Sequence, residues 1–592
     1  RSENESRRKT TLFSSYSILT LRKKEMIYKF QVHISNKDLY PQETLDVINI
    51  LSDIPRDIFF RLFLLYRNTY LNKDIREILN NIKQYGYWSF KKEINKKLSA
   101  YHKQQKPYHP SIESDRNILL CEVSMLELLR RELSVSPTNN NMSDLDYHAR
   151  FIKAILLVND EIFDIEDLRE SDITTENVRI ERMLLTNNFS FYPLTGLRDN
   201  DLGLMEIIKL LEFCRFCETN NQFNGYLSQY MQQENIKSAQ HYGFKYLAIY
   251  FAFKKSGAYS CPTLINDYQP FNKIQINDIV PLDQNLDYKK FRQVPLIEIK
   301  PDMYLLSDMK FILQRMYTGL IFDLIGVSRL SAQQFFGNFD KLFSEEYLFY
   351  KFMENAFKSM HKAVKLNGNQ LKQLCPDLDG EPDYYIRIKN TILYFEHKDV
   401  RIAAKDRMAR NYDIIEKALF KKFVEVEQKN RKKSKLGVSQ LAVNVDKILS
   451  GNFKYDKNIK HKRIHIYPIL IIFDGLFNLH GLNTLLNREF KSRVKGNKHK
   501  VNDLTIMDIN TLIKFAPKIA NGALDFKSTI DKYHKYIKSK GRIMYHGMSI
   551  DNIFERFISY PDFMDGTYKR ANMVKFIDTY KKQFKEVIFP QD

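Results

Sequence analysis

Residues 380–400 read GEPDYYIRIKNTILYFEHKDV, and this stretch restricts the chain more than any other. Apolar residues alternate on both sides of Lys389-Asn390, a dipeptide suited to a two-residue turn because Asn tolerates the left-handed conformation such turns need. That turn sets the register: residue 388 pairs with 391, and further out Asp383 faces Glu396 and Glu381 faces Lys398. Strand side chains alternate between faces, so Asp383, Tyr385 and Arg387 share one face with Ile392, Tyr394, Glu396 and Lys398. Tyr384, Ile386, Ile388, Leu393 and Phe395 make the other, apolar face. Two carboxylates opposed across a ladder repel each other, and a cation between them reverses the sign of that interaction. Hard oxygen ligands suit Mg²⁺ or Mn²⁺, which keep water and bind substrate phosphate. Lys398 is placed to orient or deprotonate a water and to neutralise charge building on a phosphate, and the backbone carbonyl of His397 is a further candidate ligand.

Pro382-Asp383, twelve intervening residues and then Glu396-His397-Lys398 resemble the signature of the PD-(D/E)XK, or restriction-endonuclease-like, nucleases. The resemblance covers about residues 340–480. It implies an αβββαβ nuclease core within an α/β chain, α+β overall, with Asp383 and Glu396 holding the metal and Lys398 serving the attacking water. It also implies an acid on the preceding helix, SEEYLFYKFMENAFKSMHKAV, where Glu346 shares a stripe with Leu342, Phe349 and Met353 and Glu345 is the neighbouring substitute. After the hairpin, KLGVSQLAVNVDKIL carries Gln440 where related nucleases often place a Gln near the site, and RIHIYPILIIFD supplies the later core strand. The activity so implied is Mg²⁺-dependent endonucleolytic hydrolysis of a nucleic acid, DNA ahead of RNA, of the kind that serves restriction or anti-phage defence. Two alternatives stand beside it: a non-cleaving nucleic-acid-binding or scaffold protein on the same fold, and an RNA-directed toxin nuclease. Residues 1–275 resemble no family.

Competing positions are weaker. Pro376-Asp377 also precedes the Glu-x-Lys, but in a loop without strand register. A second Glu-x-Lys at Glu298 to Lys300 follows Pro281-Leu282-Asp283, yet no acidic helix and paired hairpin lead into it, and Pro301 ends its strand. The bland reading of Asp383, Glu396 and Lys398 is a solvated, salt-bridged strand face, and that of Glu346 is a helix-start acid favourable to the dipole. Cys214 and Cys217 have metal-ligand spacing but sit in the apolar-periodic LMEIIKLLEFCRFCETN with no second pair, which marks them as core. His397, His465 and His480 read as ordinary strand or loop residues.

Charge points to a polyanion. Lys plus Arg number 92 against 71 Asp plus Glu, a net charge of +21. Basic runs at 419–435, 453–463, 490–500 and 532–542 concentrate in the C-terminal half, interleaved with Phe and Tyr, so Lys432, Lys433, Lys498 and Lys500 are expected to contact nucleic acid. A lysine-rich composition imposed by an AT-rich genome would instead scatter them over all faces. The five cysteines form no framework, and no apolar run reaches the roughly 18 residues of a membrane helix, which together point to a cytoplasmic protein with no membrane. P-loop, dinucleotide, zinc-protease and serine-hydrolase motifs are absent.

The chain is too long for one core. Residues 1–25 read as an appendage before the strand-like MIYKFQVHI. Residues 26–256 are expected to form a mainly helical sensing or partner domain, able to carry a protein partner or an oligomer contact. Residues 257–340 are a junction with five of the 17 prolines, a short hairpin and a helix. Residues 341–592 are expected to be the nuclease domain with a basic extension.

Overall fold

The computed structural model describes residues 31–568 apart from residues 44, 83–87, 107–115, 137–141, 164–175, 196–198, 257–259, 263–271, 277, 279, 281–287, 302, 377–379, 428–432, 461–462 and 541–554. The appendage expected at 1–25, Asp377, Asp283 and Lys432 lie outside the described residues. What is described is an α+β structure: helices dominate the first half, and a five-stranded mixed sheet lies in the second.

That sheet contains β1 (Val364–Asn367), β2 (Tyr384–Ile388), β3 (Thr391–Lys398), β4 (His465–Ile472) and β5 (Thr505–Asp508). Its spatial order is β5-β4-β3-β2-β1. The first three strands form an antiparallel meander, and β4 and β5 add in parallel. The hairpin has the register expected from the turn, with Tyr384 opposite Phe395 and Ile388 opposite Thr391. Lys389, not Asn390, takes the left-handed conformation, with φ of 53°. An αL residue is uncommon outside Gly, Asn and Asp, and the strand pairing on either side holds it there.

Both faces of this sheet are buried, which corrects the picture of one apolar and one polar face. Tyr384, Ile386, Leu393 and Phe395 share a core with Tyr467, Ile469 and Ile471 and with the helices packed over them. Tyr385, Ile392 and Tyr394 lie in a second core with Ile466 and Leu470, beneath α3 (Gly437–Leu449). Two-sided burial explains the nearly unbroken apolar run of β4. It contains Pro468, which has no N–H to give a ladder. Odd-numbered residues of β4 donate toward β3, as His465 and Phe473 do, so the missing donor points to the β5 side. There it does no harm, because pairing with β5 starts only at Ile469.

The helix before the hairpin, α2, runs without a break through Ala332–Phe339, Asp340–Phe349 and Tyr350–Ala356, and its middle part is π-helical. It packs on the same sheet face as α5 (Ile509–Ala520). Core packing crosses the junctions read from the sequence. Helix α1 (Asp199–Thr219) belongs to the core of α2 and the sheet, through contacts such as Phe213 on Phe343. Residues 34–163 instead pack with Ile274, Ile297, Leu305 and Phe311 of the junction.

Gly437 lets the start of α3 approach the Phe423 backbone closely, with Lys398 of the hairpin at van der Waals distance. A Cβ there would lie 2.9 Å from the Phe423 carbonyl oxygen and 3.7 Å from Lys398 Cγ. Gly437→Ala is therefore expected to destabilise the protein by about 1–3 kcal/mol, since neither backbone can yield cheaply. Chemical denaturation reads this, and an unchanged midpoint would refute the close approach.

Candidate active site

Asp383 enters just before β2, where the backbone is held from both sides. Its carbonyl accepts the Gly368 N–H at 3.0 Å, and its carboxylate Oδ2 accepts the His397 N–H at 2.6 Å. Gly368 has no room for a side chain: a Cβ would lie 2.8 Å from Tyr350 Oη. The amide and carbonyl of one strand residue point the same way, so the His397 carbonyl faces the Asp383 side of β3 as well. The His397 ring lies on the opposite sheet face, stacked on Phe349 at 4.9 Å. Burial and then Lys398 push its pKa down to about 3, so it stays neutral and belongs to the core.

Glu396 is 2% exposed, which rules out the solvated strand face. Its Oε1 accepts from Lys398 Nζ at 2.7 Å. Burial first, and then the Asp383 charge, push its pKa up to about 8, against the pull of Lys398. Burial also raises the Asp383 carboxyl, with Lys398 and the His397 amide opposing it. Lys398 is held charged by Glu396 and Asp383 despite its own desolvation. The expected hairpin constellation of Asp383, Glu396 and Lys398 is thus brought together. Arg387, on the same strand face, is engaged elsewhere, by Asp456 at 2.5 Å.

The helix acid facing this group is Glu345 rather than Glu346. Burial and then Asp383 raise the Glu345 pKa to about 7, and Tyr350 donates a hydrogen bond to it at 3.0 Å. The reason is the π-helical stretch. A regular α-helix puts residues four apart on one stripe, whereas here residues five apart stack, as Glu345 and Tyr350 do. Phe343 takes the fully buried place that regular spacing assigns to Leu342. Tyr350 carries no motif in the sequence, and only the π geometry reveals it.

Gln440 lies in the first turn of α3, on a stripe that starts at Gly437 beside Lys398 and continues to Asn444, whose side chain donates to the Gly380 carbonyl at 2.9 Å. Its Oε1 is buried and accepts no hydrogen bond within the protein. The second Glu-x-Lys is structural: Glu298 pairs with Lys273 at 2.8 Å in a separate four-stranded sheet. Cys214 and Cys217 are free thiols, Cys217 fully within the core, and burial raises both. Of the expected nucleic-acid lysines, Lys433 lies in the short ribbon Lys433–Lys435, Lys498 is exposed in a 3-10 turn, and Lys500 is half-buried beside it.

The donor set of Asp383, Glu396 and the His397 carbonyl is made of hard oxygens, with two carboxylates sharing the one cation Lys398. Among the described residues no three His, Cys, Asp or Glu side chains converge into a metal cage. Two carboxylates nevertheless fit Mg²⁺, which keeps several waters and is usually held by one or two of them. Comparison with described protein families, with curated proteins and with solved structures returned no match to this chain. Among the described residues no helix is long and apolar enough to cross a membrane.

The raised acids set a pH dependence. Glu345 and Glu396, ordinarily near 4.5, bind their protons more tightly in the folded state. Their contribution to stability is full below about pH 4.5 and is lost as pH rises through 7 to 8. In EDTA the protein is expected to be less stable at pH 8 than at pH 5.5. Glu345→Gln, which keeps an acceptor for Tyr350, should flatten that decline and be more stable than wild type at pH 8. Denaturation at both pH values checks this, and an unchanged slope would place Glu345 outside the charged group.

Proposed function

We propose that the protein is a metal-dependent nuclease of the PD-(D/E)XK type that hydrolyses phosphodiester bonds, of DNA in the first instance. The observation that carries this reading is the juxtaposition of the half-buried Asp383 and the buried Glu396, with Lys398 as their shared cation, at the end of a hairpin in the expected register. The element order supports it: a helix, three antiparallel strands, a helix and a parallel strand occur in that order from α2 to β4, with the helix Gly368–Leu374 between the first two strands and the helices Ala404–Arg407 and Tyr412–Phe423 and a short ribbon before α3. The net charge of +21 supports a polyanionic substrate.

Asp383, Glu396 and the His397 carbonyl are the groups that would hold a divalent cation. Bound there, Mg²⁺ or Mn²⁺ supplies Lewis-acid polarisation of a phosphate oxygen and neutralises developing charge. The chain's own groups do the rest. The His397 amide fixes the Asp383 carboxylate, so that it meets a ligand without reorganising. Lys398, whose Nζ lies 2.7 Å from Glu396 Oε1, would orient the attacking water and stabilise the negative phosphorane. Glu345, poised near neutrality and oriented by Tyr350, is a base for that water. Gln440 offers an unsatisfied carbonyl oxygen on the α3 side.

Purified protein is expected to cleave plasmid DNA with Mg²⁺ or Mn²⁺ and not with EDTA, and parallel single-stranded DNA and RNA substrates define the substrate class. Asp383→Ala or Glu396→Ala should abolish cleavage and leave nucleic-acid affinity near wild type, because affinity comes mainly from phosphate contacts elsewhere. Lys398→Ala should slow the reaction by about 10²–10³-fold. Independently of turnover, Mn²⁺ should raise the melting temperature of wild type at pH 8 and leave that of Asp383→Ala unchanged. Cleavage that survives Asp383→Ala would move the site elsewhere.

A further inference from the structure

A groove of about 770 Å³ runs along α3, away from the hairpin, and its far wall is the turn after α4 (Leu482–Arg493). Lys435, Lys447, Arg493, Lys495 and Lys500 line it, and Asp446 is the acid in its wall. Not all of that charge is available. Arg493 is held by Glu489 at 2.6 Å and by Glu425 at 3.2 Å. Asp446 is also engaged, accepting the backbone N–H groups of Lys495 at 3.0 Å and Gly496 at 2.9 Å. This contact pins the far wall to α3. Gly496 makes the approach possible, since a Cβ there would come within 2.5 Å of Leu449 Cδ1. Among the described residues no ion pair engages Lys435, Lys447 or Lys495, and Lys435 and Lys495 are exposed.

The groove adjoins the candidate active site at two places. Lys447 Nζ lies 3.9 Å from where a Cβ of Gly380 would be, three residues before Asp383. Lys435 precedes Gly437, the residue packed against Lys398. From Gly437 to Lys447 the helix rises about 15 Å, which separates Lys435 at its start from Lys447, and from Lys495 pinned at Asp446, at its other end, so the lysines do not converge on one point. A convergent cluster suits a single phosphate, whereas a row of this length matches the charge spacing of about four successive phosphates of one strand. Of the serines in the lining, Ser450 and Ser492 donate to the carbonyls of Lys447 and Glu489 at 3.2 and 2.7 Å, whereas Ser439 Oγ has no partner within the protein and is a neutral donor for a phosphate oxygen.

We infer that this groove seats the phosphate backbone of the nucleic acid that enters the Asp383–Glu396 site, with Lys435, Lys447 and Lys495 as its contacts. The inference rests on the nuclease reading and adds the path of the substrate. It also transfers the main contact from Lys498, which lies outside the lining, to Lys435 and Lys495 of the same basic runs and to Lys447, which lies outside every run.

The test is the Lys435→Glu, Lys495→Glu double variant, with Lys435→Gln, Lys495→Gln as a milder partner, each checked for an unchanged melting temperature. Binding of a short fluorescent DNA duplex is measured in EDTA over a range of salt, and cleavage is measured at saturating DNA with Mg²⁺. The charge reversal is expected to weaken binding by more than about tenfold and to make the slope of log affinity against log salt shallower by about 2. The neutral variant should show the same trend with smaller amplitude, and the rate at saturation should stay near wild type. Unchanged affinity and slope in both variants overturn the groove assignment, and the nuclease reading stands if wild type still cleaves. If wild type binds DNA without cleaving it and the reversal weakens binding, the groove stands and the cleavage reading falls. If wild type binds no nucleic acid, both fall.

Discussion

The arrangement around the hairpin depends on two like charges held side by side, Glu396 buried and Asp383 half-buried. Asp383 and Glu396 would each prefer to be solvated, and their mutual repulsion adds to the cost of burial. Lys398 alone cannot balance them, because Glu345 adds a third carboxylate to the same group. A fold tolerates such a deficit only where the rest of the structure fixes it. Here the sheet is buried on both faces, the His397 amide clamps Asp383, and α3 is pressed against Lys398 through Gly437. A divalent cation at this point would turn that repulsion into a favourable interaction.

The π-helical stretch of α2 is part of the same arrangement. It lets Phe343 and Phe349 stay in the core while Glu345 turns toward the hairpin and Tyr350 comes up beneath it. A regular α-helix through these residues would present Glu346 on the Phe349 stripe. π-Turns inside helices recur at functional sites for this reason: one added residue per turn re-aims a side chain without breaking the helix. The aromatic packing of Phe343 against Phe213 of α1 then ties the acid-bearing helix to the helical half of the chain.

The hairpin was legible in the sequence because period-2 alternation and a two-residue turn leave one register, and Asp383, Glu396 and Lys398 follow from it. The acid-bearing helix, the hairpin, α3 and β4 were legible because each is long or strongly patterned, whereas β1, four half-buried residues, was not. What was not legible depends on geometry that leaves no periodic mark. The choice of Glu345 over Glu346 needs the π-turn, and the role of Tyr350 needs the five-residue stacking it creates. The second buried face looked polar because its residues are tyrosines, and Tyr385 is satisfied by Asp456, 71 positions away. The partner of α1 was also hidden, since an amphipathic stripe does not say which core it enters. Basic runs gave the sign of the surface but not its shape: Arg493 is spent on acids, whereas Lys447, outside every run, lines the groove.

The central claim is that Asp383 and Glu396 are paired in order to hold a divalent cation. A crystal of the full chain soaked in Mn²⁺ at pH 8, with an anomalous difference map at the manganese edge, tests it most directly. A peak bonded to carboxylate oxygens of both residues is expected, with Lys398 withdrawn from Glu396. A map with no peak there, and with the Lys398–Glu396 ion pair intact, would contradict it.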